Sequence, residues 1–184
     1  YAYDLAGRQV QSLPSGLPNN ADLRQGVKMG QRTVDLMGAS DRSTNSLTLF
    51  EIDAQTGVAK VLSSTPTGRI EPYGFCMGND ANGWLAIIPY KDGVAQVFRM
   101  DAAGAVKPVA EWKLTEVMEG CVIDEENSAV FLSEENTGLW RVEYSGAAET
   151  SRRMVDAINS GTGLIADVEG VALWRGEAGD GYVV

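Results

Sequence analysis

Short runs of alternating apolar and polar residues recur along this 184-residue chain, with turn-forming residues between them. Clear examples are residues 47 to 52, 94 to 100 and 139 to 142. A period of two places successive side chains on opposite faces of a β-strand, and no segment sustains the spacing of an amphipathic helix. Asn, Asp and Gly between the runs favour tight turns. The pattern predicts an all-β chain of meandering antiparallel strands.

A weak internal repeat indicates how the strands are grouped. Three segments, each an apolar strand, a polar turn and an alternating strand, align at residues 32–53, 83–101 and 128–144. The runs headed by Glu71, Glu119 and Glu169 are 48 and 50 residues apart (119 minus 71, 169 minus 119). This spacing is close to the length of a four-stranded propeller blade.

The repeat, laid on the chain, predicts the extent of each blade. Complete blades are expected near residues 21–64, 71–113 and 119–156. Residues 1–14 would supply two strands of a blade, and residues 167–184 the first two strands of another. A chain that starts and stops inside blades would leave open sheet edges, because a propeller is stable as a closed ring. We therefore expect residues 1–184 to be part of a single β-propeller domain, truncated at both ends.

The composition excludes several kinds of chemistry. The chain has no histidine, so it contains no Ser-His-Asp triad, no His-ligated zinc and no phosphohistidine. Its formal charge of -10, from 25 acidic and 15 basic residues, disfavours nucleic acid as a partner. The sequence contains neither an apolar run of about 18 residues nor a visible export signal, and no membrane association is expected.

Two cysteines, Cys76 and Cys121, fall near the starts of the first strands of adjacent predicted blades. They form neither a Cys-x-x-Cys pair nor a Cys-x5-Arg loop, so thiolate chemistry is not indicated. Both a disulfide between the blades and two buried free thiols are compatible with these positions.

Polar residues at two kinds of position are expected to meet on one face of the molecule. In a meandering blade, the start of the first strand and the turn between the second and third strands lie at the same end. The starts carry Asp22, Tyr73, Glu119 and Glu169, and the turns carry Arg42, Lys91, Glu134 and Glu135. Each charge alone is most simply a solvated loop residue. Together, clustered carboxylates favour a hard cation such as calcium, and the two cations favour phosphate.

Six segments resemble successive motifs of the β-propeller phytases. They are LPNNADLR (17–24), SDRS (40–43), EPYGFC (71–76), MEGCVIDEE (118–126), LSEENTGLWR (132–141) and DVEG (167–170). No single motif is specific, but their order and spacing match across nearly the whole chain. The resemblance implies a six-bladed propeller, of which this chain covers about three full blades plus partial blades at both ends. It also implies a calcium-dependent phosphomonoester hydrolase that acts on phytate, myo-inositol hexakisphosphate.

The resemblance further implies roles for individual residues. The implied calcium ligands are Glu119, Glu135, Glu169, Asp167 and the carbonyl of Ala21, and the implied phosphate contacts are Arg42, Tyr73 and Lys91. Several calcium ions would bind two neighbouring phosphates and supply a bridging water as nucleophile. Either Glu119 or Glu135 would orient that water, a choice the sequence leaves open. Asp41 departs from the family's usual neutral residue, which predicts weaker anion binding beside Arg42.

The expected substrates are phytate or other inositol phosphates as calcium complexes, and the protein is expected to be secreted or periplasmic, and monomeric when complete.

Two alternatives stay open. A calcium-dependent lactonase-type propeller would not explain the cations Arg42 and Lys91 on the same face. An incomplete propeller that serves as a non-catalytic binding module would also fit, because part of the implied ligand set is missing from these residues.

Overall fold

The computed structural model describes residues 1–101, 103–177 and 180–184. Ala102, in a predicted turn, and Ala178 and Gly179, in the last predicted partial blade, lie outside the described residues. The described residues form sixteen β-strands and no α-helix, as the period-two patterning predicts. None of them belongs to a helix with the length and hydropathy that crossing a membrane requires.

Three antiparallel four-stranded sheets occupy the middle of the chain. The first sheet contains β3 (Pro18–Met29), β4 (Arg32–Asp41), β5 (Ser46–Ile52) and β6 (Ala59–Pro66). The second contains β7 (Cys76–Asp80), β8 (Gly83–Pro89), β9 (Val94–Met100) and β10 (Val106–Lys113). The third contains β11 (Met118–Asp124), β12 (Ala129–Glu134), β13 (Gly138–Ser145) and β14 (Ala148–Ala157). Strands pair in chain order within each sheet, so every sheet is a meander.

A two-stranded sheet lies at each end of the chain. β1 (Ala2–Tyr3) pairs with β2 (Gln9–Gln11), and β15 (Leu173–Arg175) pairs with β16 (Gly181–Val183). The prediction of three four-stranded meanders between two partial ones is therefore confirmed, with the first full sheet starting three residues earlier than expected (21 minus 18). These sheets are consistent with propeller blades. The closed ring and the number of six blades stay predictions.

Two apolar layers hold the three sheets together, one on each side of the middle sheet. β8 supplies both, because its side chains alternate between the two faces of the sheet. Trp84, Ala86 and Ile88 pack in the layer shared with the first sheet. Leu85 and Ile87 pack in the layer shared with the third sheet. This burial on both faces explains why β8 is an almost continuous apolar run rather than an alternating one.

The layer between the second and third sheets also contains covalent and aromatic links. Cys76 of β7 and Cys121 of β11 form a disulfide with a Cα–Cα distance of 5.6 Å, which settles the alternative that the sequence left open. Trp112 packs on Tyr144 with ring centroids 6.0 Å apart and donates from Nε1 to the Ala147 carbonyl at 3.0 Å. Trp112 is therefore part of the core, whereas Trp174 is 56% exposed.

Candidate functional site

The three sheets have equivalent turns at one end of the molecule, and three residues of each turn occupy matching positions. The turns between the second and third strands begin with Ser40-Asp41-Arg42, Pro89-Tyr90-Lys91 and Ser133-Glu134-Glu135. The serines face the neighbouring sheet: Ser40 Oγ donates to the Tyr73 carbonyl at 2.9 Å, and Ser133 Oγ donates to the Glu169 carbonyl. Each serine thereby fixes the residue that leads into the first strand of the next sheet.

Two glycines allow the first strands of adjacent sheets to approach closely. Gly74 follows Tyr73, and a Cβ there would overlap the carbonyl oxygen of Glu119. Gly120 follows Glu119, and a Cβ there would overlap the carbonyl oxygen of Glu169. Only glycine leaves room for these carbonyls. The close approach brings Tyr73, Glu119 and Glu169 from successive segments to one place.

Four acidic residues form what we call the carboxylate cluster: Glu119, Glu135, Asp167 and Glu169. Burial raises the pKa of Glu135, and the charge of Asp167, a hydrogen bond with Asp167 and the charges of Glu119 and Glu169 raise it further. The backbone joins the same segments, because the Val168 N–H donates to the Glu135 carbonyl at 3.1 Å. Like charges held this close favour protonation or a neutralising cation.

A phenol and an ammonium lie beside the carboxylate cluster. Burial, a hydrogen bond to Glu119 and the charges of Glu119, Glu135 and Glu169 raise the pKa of Tyr73 to about 12. Tyr73 is therefore a neutral hydroxyl donor at physiological pH. The Lys91 Nζ lies 4.4 Å from the centroid of the Tyr73 ring, a cation–π contact that holds the ammonium next to the acidic groups.

The cluster fits calcium by the chemistry of its donors. Calcium prefers carboxylate and carbonyl oxygens and tolerates flexible geometry, and the cluster offers four carboxylates whose mutual repulsion a divalent cation would relieve. Within the described ranges, no group of three or more acidic or cysteine side chains is already arranged to hold a metal ion.

The remaining predicted site residues are Ala21, Arg42 and Asp22. Ala21, on β3, lines the same central cavity as Gly120 and Gly170. Arg42 is exposed at the start of the β4–β5 turn, where its backbone N–H donates to the Leu17 carbonyl at 3.1 Å. Asp22 does not join the cluster through any described contact. Its carboxylate accepts from the Met77 N–H at 3.0 Å and pairs with Arg24 at 2.7 Å.

Two acidic residues near the site have structural roles. Asp41 is 3% exposed and accepts from the N–H groups of Leu17 and Ser43, at 3.1 and 2.8 Å. Although burial raises the pKa of Asp41, hydrogen bonds from Ser43 and Leu17 outweigh it and the net shift is downward. The carboxylate thus faces inward and is held by the turn, and its expected effect on anion binding beside Arg42 stays a prediction. Glu134 is likewise fully buried, with Trp140 and Thr115 donating to it.

Sequence reasoning missed the residues that support the site. Asn19 donates from Nδ2 to the Tyr73 carbonyl at 3.0 Å and to Glu119 Oε1 at 3.2 Å. Ser40 and Ser133 occupy the same position of the repeat, which is a signal the aligned turns contain. Asn19 carries no such signal, because its partners lie 54 and 100 residues away in sequence.

Comparison with known proteins bears on the whole chain. A sequence model of the family described as Phytase matches residues 1–184. A 3-phytase of Bacillus subtilis (strain 168) is 28% identical over 194 residues, a match that covers 99% of this chain and 50% of that protein. The chain thus spans about half the length of this curated relative.

Several solved structures share the fold at low sequence identity. A functionally unknown protein from Desulfotomaculum acetoxidans DSM 771 has a TM-score of 0.64 at 16% identity, covering 91% of this chain and 50% of that one. A protein from Lactobacillus plantarum has a TM-score of 0.56 at 10% identity, with 90% and 50% covered. Hydrazine synthase from Kuenenia stuttgartiensis has a TM-score of 0.56 at 12% identity, with 95% and 47% covered. At these identities the likeness concerns the fold alone.

Proposed function

Because this chain belongs to the phytase family, we propose that the full-length protein is a calcium-dependent phosphomonoester hydrolase that acts on phytate. The observation that carries the proposal is the carboxylate cluster, with Tyr73 and Lys91 beside it on one face. The description of the Bacillus relative as a 3-phytase supports the substrate. Inositol phosphates presented as calcium complexes would reach this acidic face with part of their charge neutralised.

The acidic residues of the site have two proposed roles in the reaction. Glu119, Glu135, Asp167 and Glu169 would hold calcium, together with the carbonyl of Ala21. Calcium, when bound, supplies positive charge that offsets the phosphate and polarises the attacking water. Either Glu119 or Glu135 orients that water, and no covalent enzyme intermediate is required.

The neutral and cationic groups bind the phosphoryl oxygens. Lys91 and Arg42 stabilise the negative charge on these oxygens, which is spread over them in the transition state. The Tyr73 hydroxyl remains protonated because its pKa is raised to about 12, so it serves as a hydrogen-bond donor rather than as a base. A lactonase would have no need of two cations directed at an anion.

We also propose the architecture and location of the complete protein. Its three meanders would be blades of a six-bladed ring, which the two-stranded end sheets and the roughly twofold greater length of the Bacillus relative support. The Cys76–Cys121 disulfide favours a secreted or periplasmic location, where thiols are oxidised. A closed ring would complete the partial sheets and leave only short, protected edges, which favours a monomer.

The direct experiment measures phosphate release from calcium phytate by the full-length protein, with and without a chelator. We expect release with calcium, loss with chelator and recovery when calcium is restored. Parallel assays with a sugar lactone separate the alternatives. Hydrolysis of the lactone without phosphate release would indicate the lactonase-type propeller, and neither reaction would indicate a binding module.

A further inference from the structure

Asn19 links two of the predicted site residues. It lies on β3, half-buried, and its Nδ2 is 3.0 Å from the Tyr73 carbonyl oxygen and 3.2 Å from Glu119 Oε1. Carbonyl and carboxylate oxygens accept hydrogen bonds, so the amide nitrogen, with its two hydrogens, is the atom that faces them. One side chain of the first sheet therefore bridges the second sheet and the third.

The Tyr73 end of this bridge is firmly anchored. The Tyr73 carbonyl accepts from Ser40 Oγ at 2.9 Å as well as from Asn19, so two side chains of the first sheet fix it. Ser40 is fully buried. With one hydrogen committed to this carbonyl, the Asn19 amide has a defined orientation and shares its other hydrogen between Glu119 Oε1 and Asn20 Oδ1, each 3.2 Å away.

The Glu119 end lacks the support that its counterparts receive. Ser133 of the third sheet donates to the Glu169 carbonyl, and Ser40 of the first donates to the Tyr73 carbonyl. The second sheet has Pro89 at this position of the turn, and proline has no side-chain donor to offer Glu119. Asn19 supplies a donor from two sheets away, to the Glu119 carboxylate rather than to its carbonyl, and it does so without adding charge to the carboxylate cluster.

We propose that Asn19 is a positioning residue, which holds the Glu119 carboxylate in the orientation that binds calcium. This inference rests on the proposed function. Asn19 Nδ2 lies 3.2 Å from Oε1, and the Glu119 carboxylate lies close enough to the Tyr73 hydroxyl to raise the pKa of that phenol. Outer contacts of this kind fix a ligand's direction, and their loss typically weakens metal binding by about 10- to 100-fold.

The test measures calcium affinity by titration calorimetry in the full-length protein, with kcat and KM for phytate measured alongside. The variants are Asn19→Ala, Glu119→Gln and the double variant. Asn127→Ala is the matched control, because Asn127 Nδ2 also donates to a carboxylate, Asp124 Oδ2 at 2.8 Å, in the β11–β12 turn at the other end of β11. It removes the same kind of bond far from the cluster.

We expect Asn19→Ala to weaken calcium binding about 10-fold, with Asn127→Ala close to wild type. The double variant should bind calcium no more weakly than Glu119→Gln alone, because Asn19 acts through Glu119. Wild-type affinity in Asn19→Ala, or fully additive losses in the double variant, would overturn the positioning role while leaving the proposed function intact. If the wild-type protein itself binds no calcium, the proposed function fails, and the positioning role fails with it.

Discussion

At the scale of single residues, adjacent acidic side chains have opposite environments. Glu134 is fully buried, and its pKa is lowered because hydrogen bonds from Thr115, Trp140 and Glu116 outweigh the effect of burial. Glu135, the next residue, has a raised pKa because it is partly buried and other carboxylates lie around it. The equivalent turn of the first sheet has the same arrangement, with Asp41 buried and Arg42 exposed. The residue that faces inward stabilises the turn, and the residue that follows it is the one to which we assign a role in the proposed site.

Lys91→Ala tests whether the ammonium above Tyr73 contacts phosphate. Loss of a charge-assisted contact made in the transition state should lower kcat/KM for phytate about 100-fold, with calcium affinity close to wild type. Arg42→Ala should behave similarly. The control is Lys107→Ala, which removes an exposed lysine of β10. Unchanged kinetics in both Lys91→Ala and Arg42→Ala would exclude the phosphate-binding role.

Asp41→Asn tests the buried carboxylate through the pH dependence of stability. Because the pKa of Asp41 is lowered on folding, its stabilising contribution is present above about pH 4 and is lost as the pH falls through the folded-state pKa. The variant should be less stable by roughly 1–3 kcal/mol at pH 7. This difference should narrow in acid, as measured by urea unfolding at several pH values. A difference that stays constant down to pH 3 would contradict this assignment.

At the scale of strands and sheets, the sequence predicted the architecture well and the contacts between sheets poorly. The period-two runs and the repeat placed all three four-stranded sheets, because each sheet is a local meander whose strands pair in chain order. The Asn19–Glu119 bond and the buried position of Asp41 could not be predicted in the same way. They depend on how one sheet packs on another, which a repeat within sheets does not encode.

Gly120→Ala tests the close approach of neighbouring first strands. The new Cβ would overlap the Glu169 carbonyl, so we expect a loss of roughly 1–3 kcal/mol of stability together with weaker calcium binding. Gly57→Ala is the control, since Gly57 has a φ of 71° in open space and its substitution strains only the backbone. Equal calcium affinity in the two variants would show that the approach does not position Glu169.

The link between the second and third sheets is tested by removing the disulfide with Cys76→Ala and Cys121→Ala together. The bond closes a loop with a sequence separation of 45, for which the chain-entropy relation gives about 4 kcal/mol of stabilisation. The denaturation midpoint should fall accordingly. A reducing agent should lower the wild-type midpoint and leave that of the double variant unchanged. A wild-type midpoint insensitive to reduction would contradict the bond.

At the scale of the whole molecule, the packing of the sheets brings side chains of like charge close together. A chain with a formal charge of -10 places four carboxylates at one end of its sheets, with Lys91 beside them. Such an arrangement opposes folding unless a cation neutralises it. The family membership and this concentration of negative charge both support the proposal that calcium binding and phosphate chemistry share one site.

The measurement that tests this most directly is the rate of phosphate release from phytate as a function of free calcium, in full-length wild-type protein and in Glu119→Gln. We expect no release in chelator and saturable activation by calcium in the wild type. Glu119→Gln should need a higher calcium concentration for half-activation and reach a lower rate, because the lost carboxylate is a ligand of the ion. Undiminished release in chelator, or the same calcium dependence in both proteins, would contradict the account.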